Sequence, residues 1–315
     1  MERLRIVFMG TPEFAAGILD AILKKGYEVA AVITAADKPA GRGQKIKYSA
    51  VKEYAIQHNL KILQPTNLKD EGFLKELSAL EANLQVVVAF RMLPKAVWEM
   101  PKYGTFNLHA SLLPQYRGAA PINWAIINGE RKTGVTTFFI DDKIDTGAMI
   151  LHKETQIDDS ESAGELHDRL MSLGAEAVIE TLSLIESGNV KTTVQSELGV
   201  LKTAHKLNRE NCKINWNSSG REIYNLIRGL SPYPAAWCLY KDGQDEQAVK
   251  IYEAKFIENQ HQRLPGKIFR TGKELHVAVN DGYLVIKSMQ FPGKKRMTVT
   301  EILNGMRIGE DAQLF

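Results

Sequence analysis

Asn107 and His109 lie two residues apart in GTFNLHA, an apolar run typical of a buried β-strand. Side chains at this spacing project from one face of a strand, while Phe106 and Leu108 project from the other. An amide and an imidazole side by side can both donate hydrogen bonds to an oxygen that gains negative charge when a carbonyl carbon is attacked. The alternative is a pair of core polar groups satisfied by the backbone, and the spacing alone leaves both interpretations open.

A carboxylate that could orient the imidazole occurs in the segment IDDKIDTGAMI. Asp145 precedes Thr-Gly and an apolar run, so we expect it on a loop at the edge of a sheet. There it would favour the imidazolium form of His109 and fix its orientation. Asp141 and Asp142 are competing candidates, and composition does not choose among the three. All three also fit a solvated acidic turn.

The segment SLLPQYRGAAP joins this strand to a helix expected from about Ile122 to Ile127. Pro114 and Pro121 fix the backbone and remove hydrogen-bond donors, and Gly118 allows a sharp turn. Such rigidity supports the side chains of a site. A purely structural loop could carry the same residues.

Strands alternate with amphipathic helices from Leu4 to Phe90, which predicts a Rossmann-like, doubly wound, mostly parallel sheet. Ligands of such sheets bind beyond the carboxyl ends of the strands. Gly10 in MGTPEF does not belong to a G-x-G-x-x-G fingerprint, so we assign it to a tight turn. A nicotinamide-dependent oxidoreductase is therefore disfavoured.

The second part of the chain has a different pattern. A long helix is expected over 162–188, a connector over about 195–206, and then one short helix followed by five short strands. Short strands separated by turns predict a smaller all-β domain, an OB-like barrel. The predicted organisation is a catalytic domain over 1–195, a linker over 196–207 and a carboxyl-terminal domain over 208–315.

Charge is unevenly distributed between these parts. The 315 residues carry a net charge of +3, but the segment from Lys206 to Phe315 holds 17 Lys and Arg against 12 Asp and Glu, and the remainder holds 23 against 25. A basic carboxyl-terminal part fits a polyanionic partner or an ordinary solvated surface.

Several classes of protein are disfavoured by composition. Two cysteines are too few for a disulfide framework, and neither they nor the histidines have zinc-ligand spacing. No apolar run reaches the roughly 18 residues of a membrane helix. MERLRIVFMG enters a strand without a signal-peptide pattern. We expect a cytoplasmic protein without a structural metal, and no protein partner is evident.

The pattern N-x-H-x-S-L-L-P-x-Y-R-G-x-x-P, followed downstream by D-T-G, resembles the 10-formyltetrahydrofolate-dependent formyltransferases. The resemblance covers nearly the full length, from FMGTPEFA to PGKKRMTV, and its carboxyl-terminal part is similar to the branch that acts on methionyl-tRNA. The chain departs from the family in VVVAFRMLP, where Tyr-Gly usually follows the Ala. A second departure is Ala110, where Gly is common.

The resemblance implies transfer of a formyl group from 10-formyltetrahydrofolate to the α-amine of initiator methionyl-tRNA, without metal or NAD. It implies that Asn107, His109 and Asp145 are catalytic, stabilising the attacked carbonyl and moving protons. The implied folate-binding residues are Ser111, Leu112, Leu113, Pro114, Phe90 and Met92. The implied contacts with the tRNA acceptor stem are Arg42, Lys38 and Lys45, with Arg42 on a mobile loop.

Two further hypotheses stay open at the level of sequence. A folate enzyme of the same chemistry could act on a small amine or hydrolyse the formyl group, and it would need no basic second domain. A non-catalytic RNA-binding module is the other hypothesis, and the complete set of Asn107, His109 and Asp145 argues against it.

Overall fold

The computed structural model describes residues 2–40, 45–197, 199–306 and 308–315. Its helices are α1 Glu13–Lys24, α2 Ala50–Gln57, α3 Glu71–Ser78, α4 Lys95–Trp98, α5 Pro121–Ile127, α6 Ala163–Glu186, α7 Gly220–Leu230 and α8 Val299–Gly305. Its first ten strands are β1 Arg5–Gly10, β2 Glu28–Ile33, β3 Lys38–Ala40, β4 Lys45–Lys47, β5 Ile62–Leu63, β6 Leu84–Val88, β7 Thr105–His109, β8 Arg117–Gly118, β9 Lys132–Phe139 and β10 Met149–Gln156. The later strands are β11 Thr203–Ala204, β12 Ala236–Asp242, β13 Asp245–Glu258, β14 Ile268–Thr271, β15 Glu274–Val279, β16 Gly282–Gln290, β17 Met297–Thr298 and β18 Gln313–Leu314.

The chain folds into two compact units, each made of several stretches. The first unit comprises Met1–Pro121, Thr133–Thr155 and His167–Thr203, and the second comprises Ile122–Lys132, Gln156–Leu166 and Ala204–Phe315. The sequence predicted a catalytic domain over 1–195, a linker over 196–207 and a carboxyl-terminal domain over 208–315. Two inserted stretches, 122–132 and 156–166, instead belong to the second unit.

The first unit is built on a seven-stranded sheet in the order β10-β9-β7-β6-β1-β2-β5. The neighbouring strands in the part β7-β6-β1-β2-β5 all pair in parallel. Strand β9 runs antiparallel to β7. Every residue of β6 is buried, as expected for a parallel strand covered on both faces. The predicted Rossmann-like fold is confirmed, with an antiparallel extension through β9 and β10 that the alternating pattern of the first ninety residues did not show.

Strand order reverses between β1 and β6, which places the topological switch point of this sheet between them. Gly10 ends β1 there. A Cβ at Gly10 would lie 2.6 Å from the Cβ of Ala15, so the missing side chain lets α1 approach the strand end. This close packing accounts for Gly10 without a dinucleotide.

Residues 38–47, which include Lys38, Arg42, Lys45 and Lys47, form the basic segment after β2. Its two ends are short strands, and Lys38–Ala40 pairs antiparallel with Lys45–Lys47. Arg42 lies outside the described residues, as do the side chains of Lys38 and Lys45.

The second unit is an antiparallel sheet in the order β14-β15-β16-β13-β12-β18, with β17 added on β16. A bridge between Lys267 and Gln313 brings the segment before β14 to the other edge strand, so the sheet curls into a barrel. The OB-like prediction is confirmed. One inserted stretch, 156–166, is bonded within this unit: Arg228 of α7 donates to the carbonyl oxygens of Asp158 and Glu161 at 3.1 and 2.9 Å.

Within the described ranges, no helix is both long enough and apolar enough to cross a membrane. The same residues contain no cluster of three or more His, Cys, Asp and Glu side chains suited to a metal ion.

Candidate active site

Strand β7 places the amide and the imidazole. Asn107 lies between Val87 of β6 and Phe138 of β9, and His109 is opposite Thr136 at the end of the strand. The two-residue spacing puts both side chains on one face. Asn107 is half-buried and His109 is only 6% exposed, so both lie in surroundings where electrostatic interactions are stronger than in water.

The imidazole is held in one tautomer by the backbone. Nε2 of His109 lies 2.8 Å from the carbonyl oxygen of Tyr116. A carbonyl oxygen can only accept, so Nε2 carries a proton and donates it. In the neutral ring the lone pair is therefore on Nδ1, which lies 3.8 Å from Oδ2 of Asp145. A proton taken up by the ring enters at Nδ1, beside the carboxylate.

The structure separates the three candidate carboxylates. Oδ1 of Asp141 accepts hydrogen bonds from the Lys143 amide at 3.0 Å and from the Thr146 hydroxyl at 2.7 Å, so this carboxylate folds the turn. Asp142 is exposed. Asp145 is the carboxylate beside His109, and its side chain is 15% exposed.

Asp145 is held in an uncommon backbone conformation. Its φ of +55° is left-handed, and such a conformation costs about 1–3 kcal/mol unless the surroundings enforce it. Its Oδ2 accepts a hydrogen bond from the Gly118 amide at 2.9 Å. Two residues later, a Cβ on Gly147 would lie 1.7 Å from the carbonyl oxygen of Phe139, so only glycine fits this close approach. The D-T-G sequence thus has a local steric reason.

Residues 116–118 hold three parts of the site at once. Tyr116 accepts from His109, Gly118 donates to Asp145, and the Arg117 side chain donates to Oε1 of Gln195 through Nε at 3.1 Å and Nη2 at 2.8 Å. The rigid Y-R-G loop predicted from sequence therefore positions the imidazole and the carboxylate together.

Gln195 escaped the sequence analysis, which treated its segment as a connector. Its side chain is 6% exposed, and its Nε2 donates to the carbonyl oxygens of Asp145 and Gly147, both at 2.9 Å. A single glutamine in a polar connector carries no signal of this role. Its partners are 50 and 48 residues away in sequence.

The S-L-L-P segment is fixed by Thr136, a second residue missed from sequence. The buried Thr136 hydroxyl donates to the Ser111 carbonyl at 2.7 Å and accepts from the Leu113 amide at 3.2 Å. Ser111 is fully buried and Leu113 is 7% exposed, whereas Leu112 and Pro114 are half-buried. Only the latter two side chains retain much surface for a ligand.

The stretch after β6 presents one exposed apolar side chain. Met92 is 66% exposed, and Phe90 packs partly against the core of the first unit. Arg91 donates to the carbonyl oxygens of Thr66 and Pro65, the former at 2.8 Å. The arginine therefore anchors the stretch and leaves Met92 accessible.

The Asn107 side-chain amide differs from Asp145 and His109 in its hydrogen bonding. No hydrogen bond from the described part of the chain reaches its side chain. With no acceptor among the described residues, its N–H donors suit a ligand oxygen.

The two cysteines are poor nucleophiles. Burial raises the pKa of the Cys238 thiol to about 12 and also raises the pKa of the Cys212 thiol, so neither thiol is readily ionised for nucleophilic attack.

The chain matches two family models, described as formyl transferase over residues 4–182 and formyl transferase, C-terminal domain, over residues 206–307. It is 67% identical over 315 residues to the methionyl-tRNA formyltransferase of Flavobacterium johnsoniae, covering 100% of both chains. It is 52% identical over 314 residues to the enzyme of that name from Bacteroides fragilis, covering 98% of this chain and 97% of the relative.

Two solved structures share the fold. An N-formyltransferase from Helicobacter canadensis, in complex with folinic acid and dTDP-3-aminofucose, has a TM-score of 0.67 at 23% identity, over 90% of this chain and 98% of that one. HypX from Aquifex aeolicus, in complex with tetrahydrofolic acid, has a TM-score of 0.65 at 18% identity, over 96% of this chain and 47% of that one.

Proposed function

The chain belongs to the formyl transferase family, and we propose that it transfers the formyl group of 10-formyltetrahydrofolate to the free α-amine of methionyl-tRNA. The observation that carries this function is similarity to methionyl-tRNA formyltransferases along the whole chain, through both units. An enzyme of charged tRNA acts in the cytoplasm, where we place this protein.

The residues of the candidate site fit such a reaction. The folate supplies the electrophile, a formyl carbon on an amine nitrogen. Asn107 offers N–H donors that no described residue accepts, and His109 offers an Nδ1 lone pair beside a carboxylate. A donor for an oxygen and an acceptor for a proton are what attack of an amine on a formyl group requires.

The nucleophile needs little activation by the protein. A free α-amine has a pKa of about 7.7–8, so a useful fraction is neutral near pH 7. The amine attacks directly, and no covalent enzyme intermediate is needed. The two cysteine thiols, with their raised pKa values, take no part.

We assign the proton transfers to His109. Since Nε2–H is donated to Tyr116, Nδ1 accepts the proton that the attacking amine sheds, directly or through one water. The Asp145 carboxylate, 3.8 Å away, stabilises the imidazolium that results. The same proton then passes to the departing folate nitrogen. General acid–base catalysis of this kind is worth about 10²–10⁴-fold.

Asn107 has the complementary task. Its amide donates to the formyl oxygen as negative charge develops there. Because the donor is set by strand β7, it needs little reorganisation during the reaction. We further propose that the half-buried Leu112 and Pro114, with Phe90 and the exposed Met92, offer apolar surface to the pterin, while Ser111 and Leu113 shape the backbone around it.

The RNA is assigned to the basic segment and the second unit. A-form RNA is bound largely through its phosphates and shape, and residues 206–315 carry the excess of Lys and Arg. Lys38, Arg42 and Lys45 are proposed to meet the acceptor stem. Because stretches 122–132 and 156–166 belong to the second unit, its role is better tested by charge substitutions than by truncation near residue 206.

The function is tested by offering several acceptors to the purified protein with 10-formyltetrahydrofolate. Formylation of methionyl-tRNA, with no reaction of a free ribonucleotide amine or a dTDP-amino sugar, is the expected result. Faster transfer to either small amine, or release of formate without an acceptor, would replace the proposal by one of the alternative folate activities.

A further inference from the structure

We propose that Gln195 is a positioning residue that holds the loop bearing Asp145 in its working conformation, and that Arg117 fixes the Gln195 side chain. We call the hydrogen bonds of Gln195 to this loop and to Arg117 the clamp. The proposal rests on the function proposed above, because the carboxylate acts through His109. The segment after α6 reverses the usual burial pattern. In the segment after α6, the polar Gln195 is 6% exposed while its apolar neighbour Val194 is 83% exposed.

A buried amide is tolerated when its hydrogen bonds are satisfied, and this one uses its full capacity. Nε2 donates to the carbonyl oxygens of Asp145 and Gly147 at 2.9 Å each. Oε1 accepts two hydrogen bonds from Arg117 at 3.1 and 2.8 Å. With two donors and two acceptor sites all occupied, the side chain has a single orientation.

The carbonyls that Gln195 holds are the ones that define the loop. They lie on either side of Thr146, and the first belongs to the residue with a φ of +55°. Asp145 is thus fixed at both ends: its carbonyl by Gln195 and its carboxylate by the Gly118 amide at 2.9 Å. Without the first anchor, the left-handed residue can relax and carry its carboxylate away from His109.

The segment that carries Gln195 pairs with β10, the strand that follows the Asp145 loop. Thr193 and Met149, at the start of β10, exchange two backbone hydrogen bonds of 2.8 Å. The amide therefore reaches the loop from a fixed base. Arg117 completes the arrangement, because its Nε and Nη2 both donate to Oε1 and so fix the position of that oxygen.

Substitutions at Gln195 separate positioning from plain stability. Gln195→Leu removes all four hydrogen bonds at similar size. Gln195→Glu keeps the acceptors for Arg117 but replaces the donors by a charge that repels both carbonyls. If the clamp positions Asp145, both variants lose about 10²-fold in kcat, since a misplacement of about 1 Å has that effect, with KM for both substrates within threefold. Val194→Ala is the matched control and keeps wild-type turnover.

A double-mutant cycle provides the readout that a merely structural role would not move. In an Asp145→Asn background, Gln195→Leu should cost less than threefold in kcat, because the carboxylate it positions is already gone. An undiminished loss in that background, or a Gln195→Glu variant with wild-type kcat, would overturn the proposal. So would a Gln195→Leu variant that is less stable but fully active.

An NMR measurement keeps this result independent of the proposed function. In the wild-type protein the Gly118 amide is bound to Asp145, so Gln195→Leu should shift its resonance and speed its hydrogen exchange, while Val194→Ala should not. If formyl transfer were absent altogether, the proposed function would be wrong, but the NMR measurement on Gly118 would still test whether Gln195 holds the loop. An unchanged Gly118 amide would refute the clamp in an enzyme of any activity.

Discussion

We expect the Asn107→Ala substitution to separate an effect on the chemical step from an effect on folding. The half-buried amide makes no hydrogen bond within the described ranges, so its removal leaves no protein group unpaired. We therefore expect the free energy of unfolding to change by less than about 1 kcal/mol. The rate should nevertheless fall about 10²–10³-fold, or about 2.7–4 kcal/mol in the barrier, which is the usual cost of losing one donor to a developing oxyanion.

The loss should appear in the chemical step rather than in binding. A donor that strengthens its hydrogen bond in the transition state changes kcat and leaves KM nearly constant. Single-turnover transfer of radiolabelled formyl groups to methionyl-tRNA, with enzyme in excess, measures that step directly. Equilibrium folate binding and urea unfolding of the same preparations supply the other two quantities.

Two further variants sharpen the result. Asn107→Asp keeps the size but replaces the donor by a carboxylate that repels the developing charge, so it should be at least as slow as Asn107→Ala. Asn189→Ala removes an exposed amide elsewhere in the first unit and should be fully active. A single-turnover rate of Asn107→Ala within about threefold of wild type would refute the oxyanion role, since one donor is worth far more. A loss of several kcal/mol in stability would make the residue structural.

His109→Ala should lose about 10²–10⁴-fold in turnover while folate binding, measured by fluorescence titration, is retained; loss of folate binding would move the imidazole from catalysis to ligand binding. Gly147→Ala should lower the free energy of unfolding by about 1–3 kcal/mol and should also lower turnover, because its Cβ would lie 1.7 Å from a backbone carbonyl oxygen. An unchanged midpoint of urea unfolding would contradict that steric reasoning. Ser219→Ala should cost about 1 kcal/mol near pH 7 by removing the cap of α7. Hydrogen bonds from Ser219 lower the pKa of Glu222 below its usual 4.5. The stability contributed by the ionised Glu222 carboxylate is therefore present above pH 4.5 and should shrink as the pH falls through the folded-state pKa. A cost of Ser219→Ala that stays constant down to about pH 3 would show that the Glu222 carboxylate makes no part of it. Arg42→Ala, at a position outside the described residues, should lower kcat/KM for methionyl-tRNA and leave folate affinity unchanged, and wild-type efficiency would reduce this segment to a solvated connector.

Local pattern determined much of the scaffold. Apolar runs of strand length gave β1, β2, β6 and β7, because a parallel strand is buried on both faces and leaves a continuous apolar signature. The two-residue spacing determined that Asn107 and His109 share a face, since side chains alternate along any strand. These features depend on neighbours in sequence, and so the sequence alone determined them.

The tertiary structure decided which polar groups meet. Composition did not distinguish Asp145 from Asp141, and from sequence only the family resemblance selected it, because the physical difference lies in a Gly118 amide 27 residues away and in an imidazole on strand β7. Gln195 was invisible for the same reason, with Arg117 78 residues before it. Hydrogen bonds between distant segments depend on the path of the whole chain and leave no periodicity. The sequence therefore determined the strand that carries the amide and the imidazole, and only the folded chain shows which carboxylate lies beside the imidazole and which side chain bonds to the loop of that carboxylate.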